Sequence, residues 1–150
     1  MMRRWLMPWL LGACLLAGGC DSDWGPDAQG QVVKADQLKG QWWVLNYWAD
    51  WCGPCRSEVP QLNALAAEGV TVLGVNFDNL QGDELRQAAS TLGIGFRVLA
   101  QDPAQRLDLP PSEGLPVTYL IGPDGKVRER LVGEQTAVGL KARLAALKGA

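Results

Sequence analysis

Two cysteines separated by two residues are the groups best suited to chemistry in this chain of 150 residues. Cys52 and Cys55 lie in the segment WADWCGPC, histidine is absent, and the other two cysteines, Cys14 and Cys20, lie near the N-terminus. A structural zinc site needs four Cys or His ligands, and this pair supplies only two. A disulfide across so short a loop would restrain the unfolded chain little. The spacing therefore favours a redox-active thiol pair over a metal site or a structural cross-link.

The residues around the pair support this interpretation. We expect Cys52 to lie at the end of a strand and the start of a helix, where free backbone N–H groups and the helix dipole stabilise a thiolate. Cys52 would then attack a substrate disulfide, and Cys55, one turn later, would resolve the mixed disulfide. Pro54 suits the first helical turn, and Gly53 permits close approach of a substrate backbone.

The surrounding pattern predicts the elements that position the pair. Apolar, β-preferring runs predict strands, amphipathic spacing predicts helices, and GPDG predicts a hairpin turn. Strands are predicted over 41–49, 70–77 and 96–100 with a hairpin within 114–133, and helices are predicted after the cysteines as far as Gly69, over 82–93 and from Thr136. This order implies an α/β domain in which helices cover a central mixed sheet, although propensity alone leaves the topology open.

The N-terminus has the pattern of an export signal. Arg3 and Arg4 precede an apolar run over 5–19, which is shorter than the roughly 20 residues of a spanning helix. The LAGG before Cys20 resembles the lipobox of bacterial lipoproteins, whose cysteine is acylated. Cys14, after LGA, is the alternative acylation site, and an uncleaved signal anchor is the alternative to cleavage.

The sequence thus divides into a signal peptide with a lipobox over 1–20, a polar tether over 21–31 and one domain over 32–150. Because the arginines stay in the cytoplasm, the domain should face the periplasm. Asp21 resembles the signal that retains lipoproteins in the inner membrane. The 47% apolar content suits a single core, and the net charge of −2 without a basic stripe argues against nucleic acid as a partner.

The segments NYWADWCGPCRSEVPQLNAL and GLPVTYLIGPDGKV resemble the TlpA/ResA-type thiol–disulfide oxidoreductases, which are related to DsbE/CcmG and are membrane-anchored proteins with a thioredoxin fold. The resemblance covers about Val32 to Ala146. It implies a thioredoxin fold with an extra helix–strand unit, and the 40 positions between Asn76 and Pro116 leave room for that unit.

The resemblance also implies further site residues. Pro116 falls where the family has a cis-proline, which would keep the thiols from binding metal and leave the backbone of Leu115 free to pair with an extended substrate. Trp51 would shape the docking surface beside Cys52.

The proton-transfer group for Cys55 is left open by the resemblance. Asn46 stands where thioredoxins bury an aspartate that assists the resolving cysteine. Glu58 and Asp78 are candidates for this role, and the alternative is that they are a surface charge and a loop cap.

The function implied is reduction of disulfides in exported proteins, with apocytochrome c as one substrate class. The resemblance implies electrons from a DsbD- or CcdA-type membrane carrier, and no cofactor is expected beyond the Cys52–Cys55 disulfide. The alternatives are a periplasmic disulfide oxidase or isomerase, a thiol peroxidase, and a non-catalytic adaptor lipoprotein. A peroxidase would usually carry a Thr-x-x-Cys pattern, which is missing here.

Overall fold

Residues 22–150, which the computed structural model describes, form five strands and five helices. The strands are β1 (Trp43–Trp48), β2 (Thr71–Asn76), β3 (Arg97–Leu99), β4 (Val117–Ile121) and β5 (Val127–Val132). The helices are α1 (Ala35–Leu38), α2 (Gly53–Ala67), α3 (Gly82–Thr91), α4 (Ala104–Leu107) and α5 (Ala137–Lys148). The predicted signal peptide and both candidate lipidation sites, Cys14 and Cys20, lie outside the described residues.

The strands form one mixed sheet in the order β3-β2-β1-β4-β5. β1 is parallel to β2 and antiparallel to β4, with Trp48 opposite Asn76 and Tyr47 opposite Val117. Every residue of β1 is buried, because this central strand is covered on both faces. The predicted α/β fold with a central mixed sheet is confirmed, and α3 and β3 form the extra unit before Pro116.

Alternate side chains of β1 enter two different parts of the core. Trp43, Leu45 and Tyr47 pack on the sheet face that the N-terminal segment and α1 cover. Trp48 packs on the opposite face with Cys55 and other residues of α2 and α3. Because successive side chains of a strand point to opposite faces of the sheet, helix α2 and the N-terminal segment pack on opposite faces.

Trp48 packs closely against β2 at Gly74. A Cβ atom at position 74 would lie 2.9 Å from both Trp48 Nε1 and Phe96 Cε2. The sheet therefore needs glycine here for close packing rather than for an unusual backbone conformation.

The segment predicted as a tether is part of the folded domain. Its backbone pairs with the residues that follow it, since Trp24 N–H donates to the Val33 carbonyl at 2.8 Å and Val33 N–H donates to Gly25. The side chain of Asp27 is buried, accepts from two backbone amides and forms an ion pair with Arg97 at 2.9 Å. The folded domain therefore begins before residue 32. The Trp24 ring packs against Trp43, and the Asp27 carboxylate pairs with Arg97.

The same segment lies along β3, the first strand at one edge of the sheet. Ala28 N–H donates to the Val98 carbonyl at 2.8 Å, and Ala100 N–H donates to the Pro26 carbonyl at 3.0 Å. An isolated bridge joins Asp27 to Leu99. The outward-facing Val98 carbonyl of β3 and the N–H of Ala100, just after the strand, thus have partners within the chain.

The predicted strands and the three longer helices are all present within a few residues of their expected bounds. The single-turn helices α1 and α4 were not predicted, because four residues are too few to show a helical period. Across residues 22–150, no helix has the length and apolar character needed to cross a bilayer.

Candidate functional site

The two cysteines form a disulfide where β1 leads into α2. Cys52 is the N-cap of α2, with the extended backbone that this position requires, and its Cα lies 5.2 Å from that of Cys55. The Cys55 N–H donates to Cys52 Sγ at 3.2 Å. Cys52 is 5% exposed and Cys55 is 1% exposed, so an incoming group meets Cys52 first.

This position suits Cys52 to be the nucleophile. In the reduced state, its sulfur would face the Cys55 N–H and the positive end of the α2 dipole, both of which favour the thiolate. Pro54, in the first turn of the helix, removes an N–H that would have no partner there. Cys55 is placed one turn further and deeper, as a resolving thiol requires.

An aromatic pair forms the exposed rim beside Cys52. Trp51 is 64% exposed, and its ring meets that of Phe77 edge-on with the centroids 6.3 Å apart. The Trp51 indole N–H donates to Asp78 Oδ2 at 2.7 Å. Asp78 is exposed and holds the indole, which gives it a positioning role at the rim, and its part in proton transfer to Cys55 stays a prediction.

An open groove of about 390 Å³ runs past the disulfide. Trp51, Cys52 and Phe77 line one side, and the loop from Ser112 to Leu115 lines the other. The Leu115–Pro116 peptide bond is cis, as predicted. The groove therefore brings together the predicted residues Trp51, Cys52, Gly53, Pro54 and Leu115, with Pro116 buried directly behind Leu115.

Glu58, three residues after Cys55 in α2, belongs to a buried polar network. It is 1% exposed, and its carboxylate accepts from Asn46 Nδ2 at 2.6 Å and from the Gln135 N–H at 2.6 Å. Asn46 also donates to Thr118 Oγ1 at 3.1 Å. The alternative of an exposed charge at Glu58 is therefore wrong, because helix α2 points this side chain into the core.

Burial changes the acidity of Glu58. Loss of solvent raises the pKa of this carboxyl from an ordinary 4.5 to about 7, although the hydrogen bonds from Gln135 and Asn46 act in the opposite direction. Glu58 follows Cys55 by three residues on one helix, so the two side chains lie on the same face of α2. A carboxyl group that can exchange a proton near neutral pH thus lies one turn from the resolving cysteine.

Two members of this network could not be expected from the sequence. Thr118 lies in β4 and is more than 70 positions from its partner Asn46. Gln135 lies just before α5 and is more than 70 positions from its partner Glu58. Within residues 22–150, no three Cys, Asp or Glu side chains cluster in a way that could hold a metal ion.

Comparison with known proteins places this geometry in a family. The AhpC/TSA family matches residues 23–130. The thiol-disulfide oxidoreductase ResA of Bacillus thuringiensis (strain Al Hakam) is 33% identical over 123 residues, which cover 79% of this chain and 70% of the relative. The thiol:disulfide interchange protein DsbE of Vibrio cholerae is 34% identical over 119 residues, covering 79% of this chain and 64% of the relative.

A solved structure agrees with these relatives. The crystal structure of a thiol:disulfide interchange protein of the thioredoxin family from Chlorobium tepidum TLS superposes with a TM-score of 0.65 at 25% identity, covering 81% of this chain and 90% of that one. The thioredoxin fold and the predicted class of thiol–disulfide oxidoreductase are thereby confirmed. The chain belongs to the AhpC/TSA family, and within that family it resembles the ResA and DsbE proteins.

Proposed function

We propose that this protein is a membrane-anchored oxidoreductase that faces the periplasm and reduces disulfides of exported proteins. The observation that carries the proposal is the disulfide at the N-terminus of α2, where the Cys55 N–H points at Cys52 Sγ and an open groove gives access to it. An extended polypeptide fits such a groove, and a thiol pair needs no further cofactor for exchange.

The reaction would proceed in two exchanges. In the first, the Cys52 thiolate attacks one sulfur of the substrate disulfide, forms a mixed disulfide and releases the other substrate sulfur as a thiolate, which takes up a proton. In the second, deprotonated Cys55 attacks Cys52 Sγ, closes the enzyme disulfide and releases the second substrate thiol. Two electrons pass from the enzyme dithiol to the substrate.

Glu58 is the group that we propose to accept the proton of Cys55. Its pKa of about 7 lies near the working pH, which is the condition for efficient proton transfer, and its helix places it on the same face as Cys55. Asn46 remains neutral and holds the carboxylate by donating to it. This arrangement would replace the buried aspartate of thioredoxins.

The sequence supports a location and partners for the proposed function. The export signal and the lipobox at Cys20 support a lipid anchor on the periplasmic side of the cell envelope, in the inner membrane. The TlpA/ResA resemblance supports a DsbD- or CcdA-type membrane carrier as the electron donor. It also supports apocytochrome c as one substrate class among exported proteins with disulfides.

The reduction potential of the Cys52–Cys55 pair tests the proposed direction. The protein would be equilibrated with thiol buffers of known potential, while the fluorescence of Trp48 and Trp51 reports the redox state. A value near or below about −250 mV would support a reductase. A value of about −120 to −180 mV is that of an oxidant or isomerase and would contradict the proposed direction.

A further inference from the structure

A second pocket adjoins the groove at the disulfide, and we call it the side pocket. It has a volume of about 250 Å³, and its lining includes Tyr47, Phe77, Asp102, Leu109, Ser112 and Tyr119. Phe77 and Ser112 line both the side pocket and the groove. The exposed Phe77 ring thus lies between the side pocket and Trp51, which it meets edge-on. A polypeptide in the groove therefore has a pocket directly beside it for one of its side chains.

Two buried tyrosine rings form the floor of the side pocket. Tyr47 and Tyr119 meet edge-on with their centroids 6.0 Å apart, and both belong to the core on this face of the sheet. Leu109 adds a half-buried aliphatic side chain to the lining. Sites that bind apolar groups are typically lined by aromatic and aliphatic side chains with few polar groups, and aromatic rings pack well edge-on against one another. The side pocket is thus suited to a ring.

Hydrogen bonds within the chain hold the walls of the side pocket. The Tyr47 hydroxyl donates to Asp102 Oδ1 at 2.6 Å, and the same oxygen accepts from the Ala104 N–H at 2.9 Å. Burial and the neighbouring Asp102 raise the pKa of Tyr47, so its hydroxyl keeps the proton that it donates. On the other wall, Ser112 Oγ donates to the Gly114 carbonyl at 2.7 Å. These bonds need no ligand, so the pocket is formed before a substrate arrives.

The size and charge of the side pocket indicate what it can hold. A closed apolar cavity of about 150 Å³ is large enough to bind benzene. The side pocket, at about 250 Å³, therefore has room for the ring of a phenylalanine, tyrosine or tryptophan side chain. The exposed carboxylate of Asp102 is part of the lining, so an acidic side chain would be repelled.

We propose that the side pocket binds an aromatic side chain of the polypeptide whose disulfide reacts at Cys52. The proposal rests on the proposed function and narrows its substrates to polypeptides with an aromatic residue close to the reacting cysteine. Because the groove and the side pocket share Phe77 and Ser112, one chain can occupy both. The ring should lie within about four residues of the cysteine, since four extended residues span about 13 Å.

The experiment measures how fast the reduced protein reacts with short peptides. Each peptide carries one cysteine in a Gly/Ser background, joined through a disulfide to thionitrobenzoate. The Cys52 thiolate attacks the peptide sulfur, forms a mixed disulfide and releases the coloured thionitrobenzoate thiolate, which is the better leaving group. Cys55 then closes the enzyme disulfide and releases the peptide thiol. The full chain carries Cys14→Ser and Cys20→Ser, so that only Cys52 and Cys55 react.

The position of the aromatic residue is the variable. Tyrosine is placed at each position on either side of the cysteine in turn, and alanine or glutamate at the same position is the control. At one or two positions, tyrosine should raise the second-order rate constant at least about 10-fold over alanine, and glutamate should lower it. Equal rates for all peptides, or the same gain from tyrosine at every position, would overturn the proposal. Failure of every peptide to react would contradict the oxidoreductase function instead.

Two leucine substitutions in α4 test the side pocket itself. Ala104 belongs to its lining, whereas the neighbouring Gln105 is exposed and does not. Ala104→Leu should bring the ratio of the tyrosine rate to the alanine rate close to unity, because the added carbons occupy the pocket. Gln105→Leu is the matched control and should keep the wild-type ratio. An unchanged ratio in Ala104→Leu would overturn the proposal.

A second measurement needs no substitution in the pocket. The Cys55→Ser variant is converted to its mixed disulfide with the fastest tyrosine peptide and studied by NMR. The peptide ring protons should show nuclear Overhauser effects to the methyl groups of Leu109, which lines the side pocket but not the groove. Effects to Trp51 alone would place the ring at the exposed rim and overturn the proposal, whatever the rates of the peptides.

Discussion

Replacing Glu58 by glutamine should remove a specific pH dependence of stability. The folded state raises the pKa of Glu58 from 4.5 to about 7, so it holds this proton more tightly than the unfolded chain does. The stabilisation by the protonated group is fully present below about pH 4.5, declines as the pH rises towards 7 and is constant above that. A difference of about 2.5 units corresponds to about 3 kcal/mol.

Urea unfolding of the oxidised protein, measured at intervals from pH 4 to pH 8, provides the assay. The wild-type free energy of unfolding should fall by about 3 kcal/mol relative to that of Glu58→Gln over this range. Glu84→Gln changes an exposed carboxylate in α3 and serves as the matched control, which should follow the wild type. Parallel curves for wild type and Glu58→Gln would refute the reasoning, because they would mean that the hydrogen bonds from Asn46 and Gln135 fully offset the burial of the carboxylate.

Three other substitutions test the site and the packing. Cys55→Ser should trap the mixed disulfide on Cys52, visible as a reducible adduct on a non-reducing gel; the absence of this adduct, or an equal adduct on Cys55 of the Cys52→Ser variant, would contradict the assigned roles. Asp78→Ala should alter Trp51 fluorescence and leave the pH profile of disulfide exchange unchanged, whereas a shifted profile would restore Asp78 as the proton acceptor. Gly74→Ala should lower the free energy of unfolding by about 1–3 kcal/mol through overpacking, and unchanged urea unfolding would show that the two neighbouring rings can move aside.

The redox pair and most of the sheet could be predicted because their signals are local. The two cysteines occupy one short motif, and each strand or longer helix shows its own period over 5–15 residues. The helical pattern of α2 also indicates that Glu58 is buried. Cys55, Val59 and Leu62 recur on the buried face of α2, and Glu58 lies on that face between them.

Other features depend on partners that are remote in sequence. Asp27 appears as one more polar residue in a Gly- and Pro-containing segment until Arg97, 70 positions later, is placed beside it. Trp24 likewise gains its position from Trp43 and Arg106. The polar composition of such a segment does not show which distant residues its side chains will contact.

The pairing of the N-terminal segment with β3 has a consequence for the tendency of this protein to aggregate. An exposed sheet edge is a template on which unfolded chains add strands and aggregate. At this edge the Val98 carbonyl of β3 and the Ala100 N–H just after it are bonded to Ala28 and Pro26, and at the opposite edge β5 carries exposed arginines, Arg128 and Arg130. Each edge of the sheet thus carries a feature that opposes edge-to-edge aggregation, while the groove beside Cys52 stays open.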